Sequence, residues 1–161
     1  LEKKNVDMLT GLKIFTKAEL ESRYEIMMEN YVKTVTIEAQ TMLDMVWKDI
    51  LPAASAYTKE LAETVAAKKA IGGGIDTSYE EKLAGHVSVL LASATKKAEA
   101  LEYALMGVKD ITDTLALARY YRDTIFAAMN ELRIIVDEME THCAAKYWPY
   151  PSYGDILFSV K

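Results

Sequence analysis

The chain has 161 residues, 51% of them hydrophobic, a formal net charge of -5 and one cysteine. That length suits one domain with a sizeable core, and the acidic balance argues against a nucleic-acid partner, because neutralising phosphates takes a clustered excess of Lys and Arg. One cysteine excludes an intrachain disulfide framework and fits a reducing compartment, and no apolar run approaches the roughly 20 residues that cross a bilayer.

Residues 1 to 15 mix Val6, Met8, Leu9, Leu12, Ile14 and Phe15 with Gly11 and hold no sustained period, so they read as a lead-in with room for one helical turn. The chain begins without a methionine, and its first residues lead into no apolar signal-peptide core. That start is compatible with a piece of a longer protein. Thr16-Lys17-Ala18-Glu19 then has the capping-box spacing, with Phe15 and Leu20 at the hydrophobic-staple positions. From there Tyr24, Met28, Tyr31, Val35, Ala39, Met42, Val46 and Ile50 recur every three or four residues. Pro52 removes one helical hydrogen bond and crowds the Lys48 carbonyl. The outcome is either a kink in one long helix or a short break between two. No Gly, Asn or Ser stands just before it to build a loop, and Ala54, Tyr57, Leu61 and Val65 resume the period at once. The pattern therefore favours one kinked helix from about Lys17 to about Ala70, roughly 80 Å long at 1.5 Å per residue. Such a rod must project or be covered by something else.

Gly72-Gly73-Gly74 is the clearest turn in the chain, since glycine takes positive φ without cost. A phosphate-cradling loop would need a preceding strand and a Lys-Ser/Thr pair opening the next helix, and neither is present. Thr77 or Ser78 caps a second long helix in which Leu83, Val87, Leu90, Ala94, Lys97, Leu101, Leu105 and Val108 hold a heptad, with Ala98 filling the gap at Lys97. Asp110, Thr112 and Asp113 are N-caps that place the second connection between Gly107 and Thr114. The last long helix follows, from about Asp113 to about Tyr147, with its stripe at Ala118, Tyr121, Ile125, Ala128, Leu132, Ile135 and Met139, before Trp148-Pro149 ends it. No strand-like alternation competes. The expected fold is all-α: an antiparallel bundle of three long helices crossing near 20°, the first kinked near Pro52, with a short aromatic tail packing on the bundle. Its divisions are a lead-in at 1–15, the bundle at 16–147 and the tail at 148–161.

Few residues point to chemistry. A di-metal carboxylate centre in a bundle needs Glu-x-x-His pairs, but Leu83 and Met139 stand three residues before His86 and His142. With one Cys and two scattered His, zinc is no better supported, so no metal site is expected. Cys143 beside His142 is no nucleophile-base pair, because adjacent helical residues point about 100° apart; it reads as a structural thiol. Met27, Met28, Met42 and Met45 read as core filling. Arg23, Arg119, Arg122 and Arg133 are the only arginines, and Glu21, Glu25 and Asp123 are plausible partners, against the alternative of a solvated face. The tail, with Tyr147, Trp148, Tyr150, Tyr153 and Phe158, is too aromatic to stay in water, and packs back across the bundle or docks on another subunit. Arg23, Tyr24, Arg122, Trp148, Tyr153 and Phe158 are the candidate interface or tail-docking residues; no catalytic or cofactor-binding residue is assigned.

Several segments in order carry a resemblance. Phe15-Thr16-Lys17-Ala18-Glu19-Leu20-Glu21-Ser22-Arg23-Tyr24-Glu25-Ile26, Ile37-Glu38-Ala39-Gln40-Thr41-Met42, Ile50-Leu51-Pro52-Ala53, Tyr120-Tyr121-Arg122-Asp123, Asn130-Glu131-Leu132-Arg133 and Trp148 to Phe158 resemble the C-terminal helical region of type III glutamine synthetases. The likeness covers about residues 15 to 160 and is weakest across the glycine turn and the second helix. It implies a large multi-subunit cytoplasmic enzyme of nitrogen metabolism, a glutamate-ammonia ligase using ATP and divalent metal. The metal-binding Glu and His motifs of that family have no counterpart here, so no active-site residue carries over. The resemblance thus implies a non-catalytic C-terminal domain, with no cofactor and no activity of its own, that contributes to subunit assembly. Its partners would be the other domains and subunits of the parent oligomer, with neither nucleic acid nor membrane. The alternative is a free-standing helical-bundle interaction or adaptor module.

Overall fold

The computed structural model describes residues 1–158; Ser159, Val160 and Lys161, the end of the expected tail, lie outside the described residues. Among the described residues all regular structure is helical, with three long helical runs and no strand.

The chain opens with α1, Lys3–Gly11, longer than the single turn expected of the lead-in. Its nine residues bury none of their side chains. Val6, Leu9 and Thr10 are half-buried along one face of it, too short a stretch to set a sustained period. Lys13, at φ 55°, turns the chain out of it. Then α2 (Lys17–Met45) starts on the expected capping box: the Glu19 N–H donates to Thr16 Oγ1 at 3.2 Å, and the Thr16 N–H donates to the Glu19 carboxylate at 2.7 Å.

From 17 to 71 the helix never breaks. A π turn, Val46–Ile50, joins α2 to α3 (Leu51–Ile71), and the Leu51 N–H donates to the Val46 carbonyl five residues back. Pro52 offers no N–H, so the backbone widens for one turn ahead of it instead of opening a loop. Gly72, Gly73 and Gly74 follow at φ 73°, 81° and 75°, a run of left-handed residues that only glycine takes without strain.

The second run is α4 (Ser78–Met106), closed by a 3₁₀ turn at Gly107–Asp110. Thr77 holds the N-cap position, but its side chain makes no capping bond; the Asp76 carboxylate accepts the Ser78 N–H at 2.9 Å instead. Asp113 caps α5 (Thr114–Tyr120) by accepting the Ala116 N–H at 2.7 Å. A second π turn, Tyr121–Ile125, carries α5 into α6 (Phe126–His142). The helix stops at His142, short of the expected Tyr147, because Cys143 is extended with ψ 138°. That exit swings Lys146 and Tyr147 onto Glu60 of α3. Last comes α7, Tyr153–Leu157.

One core joins the three runs. Ala39, Val46 and Ala54 of the first, Val87, Ala94, Ala98 and Leu101 of α4, and Ile125, Leu132 and Met139 of the last are all fully or almost fully buried. Burying each large aliphatic side chain here contributes about 1.5–3 kcal/mol. Ala98 fills the heptad position that Lys97 vacates, and the Lys97 ammonium reaches Glu131 at 2.6 Å. Cross-links follow in sequence: Lys68 to Glu80 at 2.6 Å, Trp47 to Glu102 at 2.8 Å, Thr36 to Tyr121 at 2.7 Å.

One expectation about burial needs correcting. Met28 and Met42 are half-buried, but Met27 and Met45 face solvent; the buried methionines are Met129 and Met139 of α6. Between Leu20 and Val35 no residue of α2 is buried; Tyr24, Met28 and Val32 are half-buried, and only Val32 of these packs against the core, so the first part of this stretch projects as an arm. No helix among the described residues is long and apolar enough to cross a membrane.

Candidate functional site

The six candidate interface residues do not converge: among the described residues, none contacts another through a hydrogen bond, ion pair or ring contact. Arg23 stands with its guanidinium 4.7 Å from the centre of the Phe15 ring, and Tyr24 beside it is half-buried. Arg122 pairs with its neighbour Asp123 through two bonds, at 2.6 and 2.9 Å, rather than with Glu21 or Glu25. The pairing raises the Arg122 pKa and lowers that of Asp123. Both side chains remain more than half exposed, so the pair is a surface feature of small energetic weight.

The tail divides at Pro151. Up to that point it is anchored on the first long run. Glu60 accepts from Lys146 Nζ at 2.7 Å and from the Tyr147 hydroxyl. These two hydrogen bonds hold the Glu60 carboxyl below its usual range. The Tyr147 and Tyr57 rings lie 5.5 Å apart at 40°, the Tyr150 hydroxyl donates to Asp49 at 2.8 Å, and Trp148 and Tyr150 pack against the core. From Pro151 to Phe158 every residue is exposed, so the expected packing on the bundle does not occur among the described residues. Ser152 caps α7 through its hydroxyl, and that helix buries no residue. Tyr153 and Phe158 are 81% and 82% exposed, so these two rings find no cover among the described residues.

A second apolar surface is a groove of about 590 Å³ between α2 and α6, lined by Ile37, Met42, Met45, Phe126, Met129 and Val136. Glu38, Asn130, Arg133 and Asp137 rim it. An apolar floor with a polar rim is the make-up of a contact surface.

One cluster of ligating side chains overturns the expectation of two scattered histidines. His86 of α4 lies against Glu138 and His142 of α6: His86 Nε2 is 3.3 Å from Glu138 Oε1, and the two imidazole rings stand edge to face with centres 4.4 Å apart. One donor atom from each of the three residues lies within 4.8 Å of the others. A search for Glu-x-x-His pairs passes over this group, because its spacing is Glu-x-x-x-His on one helix and its third member comes from another. The readable signal was that i, i+4 pair, Glu138 and His142, on one helix face. Cys143 stays apart as a half-buried thiol packed on the core, its pKa pushed up by burial.

Comparison with known proteins gives this arrangement a context. A family model described as the glutamine synthetase C-terminal domain matches residues 1–69, which run from α1 through most of α3. A glutamine synthetase of Butyrivibrio fibrisolvens is 38% identical over 98% of the chain, and a type-3 glutamine synthetase of Dictyostelium discoideum is 33% identical over 96% of it. A glutamine synthetase of Bacteroides fragilis (strain YCH46) is 26% identical over 94% of the chain. The chain spans only 21–22% of the length of these relatives.

Proposed function

The chain belongs to the glutamine synthetase C-terminal domain family, and from that premise we propose that it is a non-catalytic helical domain of a type III enzyme, serving subunit assembly. The observation that carries this reading is the uncovered apolar surface at two places, the arm with Ile26, Met27 and Tyr31 and the tail helix with Tyr153, Leu157 and Phe158. Surfaces of that kind mark contact with another protein. The partners are other domains and subunits of the parent oligomer, a cytoplasmic ligase that joins ammonia to glutamate at the expense of ATP. ATP and divalent metal are bound upstream of this region.

On this reading the bundle, 16–147, is a stack of antiparallel neighbours bent at the π turn before Pro52. Two pairs support that picture: Lys68 with Glu80 and Trp47 with Glu102 run in opposite order along their two stretches. Pro and π turns are also the usual origins of helix bends.

The test is the mass of the parent enzyme in solution. Replacing Tyr153 and Phe158 together by Ser in the full-length enzyme is expected to yield smaller particles by light scattering, with helical content unchanged. An unaltered assembly would overturn the tail's part in the proposal. The 161-residue chain by itself is expected to form no glutamine from glutamate, ammonia and ATP, and turnover there would overturn its non-catalytic character.

A further inference from the structure

We propose that His86, Glu138 and His142 form a binding site for one divalent transition ion of the zinc class, which clips the last turn of α6 to α4. Two imidazole nitrogens and one carboxylate are a borderline-soft donor set that suits zinc and its first-row neighbours, whereas magnesium and calcium demand shells built of oxygen. Three protein ligands also leave the fourth tetrahedral position to water.

The geometry supports the same conclusion. Ligand bonds of about 2.0–2.1 Å put tetrahedral donors roughly 3.3 Å apart, and His86 Nε2 and Glu138 Oε1 are already separated by 3.3 Å. The other separations reach no more than 4.8 Å. Rotation of side chains that are 41% and 48% exposed closes that gap without moving the backbone. The backbone itself is fixed, because Val87 follows His86 and Met139 follows Glu138, and both are fully buried. The ligands thus sit on packed helices while their tips remain open to a hydrated ion. His142 is the final residue of α6, where the helix's free carbonyls concentrate partial negative charge that favours a cation. Among the described residues, the three side chains touch through the His86–Glu138 contact and the ring-on-ring contact of the two histidines. The ion would also brace the exit at Cys143 that delivers Lys146, Tyr147 and Trp148 to their sites.

The test titrates zinc chloride into the 161-residue chain and reads calorimetry, thermal melting and the imidazole resonances, which are simple to assign because His86 and His142 are the only histidines. The expected result is one ion per chain, a higher melting temperature by linkage, both imidazoles shifting together, and weaker binding on acidification as protons compete for the ring nitrogens. His86→Gln, Glu138→Gln and His142→Gln should each weaken binding about tenfold or more, since even outer partners of metal ligands carry that much. Millimolar magnesium should neither bind there nor displace zinc. Absence of saturable binding, or binding that all three variants retain at wild-type strength, would overturn the proposal. So would a shift of one imidazole without the other. Because the imidazole readout uses the unaltered chain, a variant that fails to fold leaves the test decisive.

Discussion

Tyr150 donates its hydroxyl to Asp49 at 2.8 Å, and burial first, then that hydrogen bond, push its pKa up to about 12. A raised folded-state value means that the unfolded chain gives up the proton first, near the ordinary tyrosine value of 10.0. The contribution to stability is therefore whole below about pH 10 and drains away as pH rises to about 12. Glu60 works in the opposite sense. Lys146 and Tyr147 depress its pKa, so its contribution is present above the ordinary glutamate value of 4.5 and is lost as pH falls through the lower folded value. The anchored part of the tail is thus released from both ends of the pH scale. Tryptophan emission from Trp148 should follow both releases, and Tyr150→Phe should weaken the alkaline one, to which Lys146 and Tyr147 with their Glu60-raised pKa values also contribute, while leaving the acid one. In the core the scale of effect is larger: Leu132 is fully buried, and Leu132→Ala should cost about 2–5 kcal/mol in denaturant unfolding.

At the level of elements, the caps are what the sequence made most legible, because a capping box is read from four adjacent residues and depends on nothing distant. Thr16 and Glu19 form theirs as the spacing requires, and Asp113 caps α5. Thr16→Ala should lower stability by about 1 kcal/mol and fray the first turn of α2, seen as fast amide exchange confined to that turn. The three long runs were legible for a similar reason, since Ile125, Leu132 and Met139 repeat on one helix face and are all buried. The two π turns were not. An added residue in one turn at Val46–Ile50 or Tyr121–Ile125 leaves the apolar spacing almost as it was, and it is decided by packing between runs and by the missing N–H of Pro52. The exit at Cys143 that ends the last helix at His142 was not legible either, because Lys146 and Tyr147 meet Glu60 only in the folded chain and local periodicity carries no trace of it. The histidine cluster was hidden for the same reason: His86 and His142 meet only once the register between α4 and α6 is known.

For the whole molecule, burial is unequally shared along the longest run, and this makes the assembly reading open to a second kind of test. From Val35 onwards the first run contributes Val35, Ala39, Leu43, Val46, Ile50, Leu51, Ala54, Tyr57 and Leu61 to the buried set, whereas residues 21 to 34 contribute none. Helical hydrogen bonds without a packed face open locally, because helix propensity alone is marginal in water and most helical stability comes from tertiary packing. In the isolated chain, amides of residues 21 to 34 should therefore exchange far faster than those of residues 35 to 46, whose protection should approach that of global unfolding. If the arm is an assembly surface, the full-length enzyme supplies the cover that this chain lacks, and the same amides become protected there. The uncovered tail helix, with Tyr153 and Phe158, should gain protection in step. Equal protection of the two halves in the isolated chain would mean that the arm is stable without a partner. Unchanged exchange between chain and full-length enzyme would mean that neither arm nor tail is where the subunits meet.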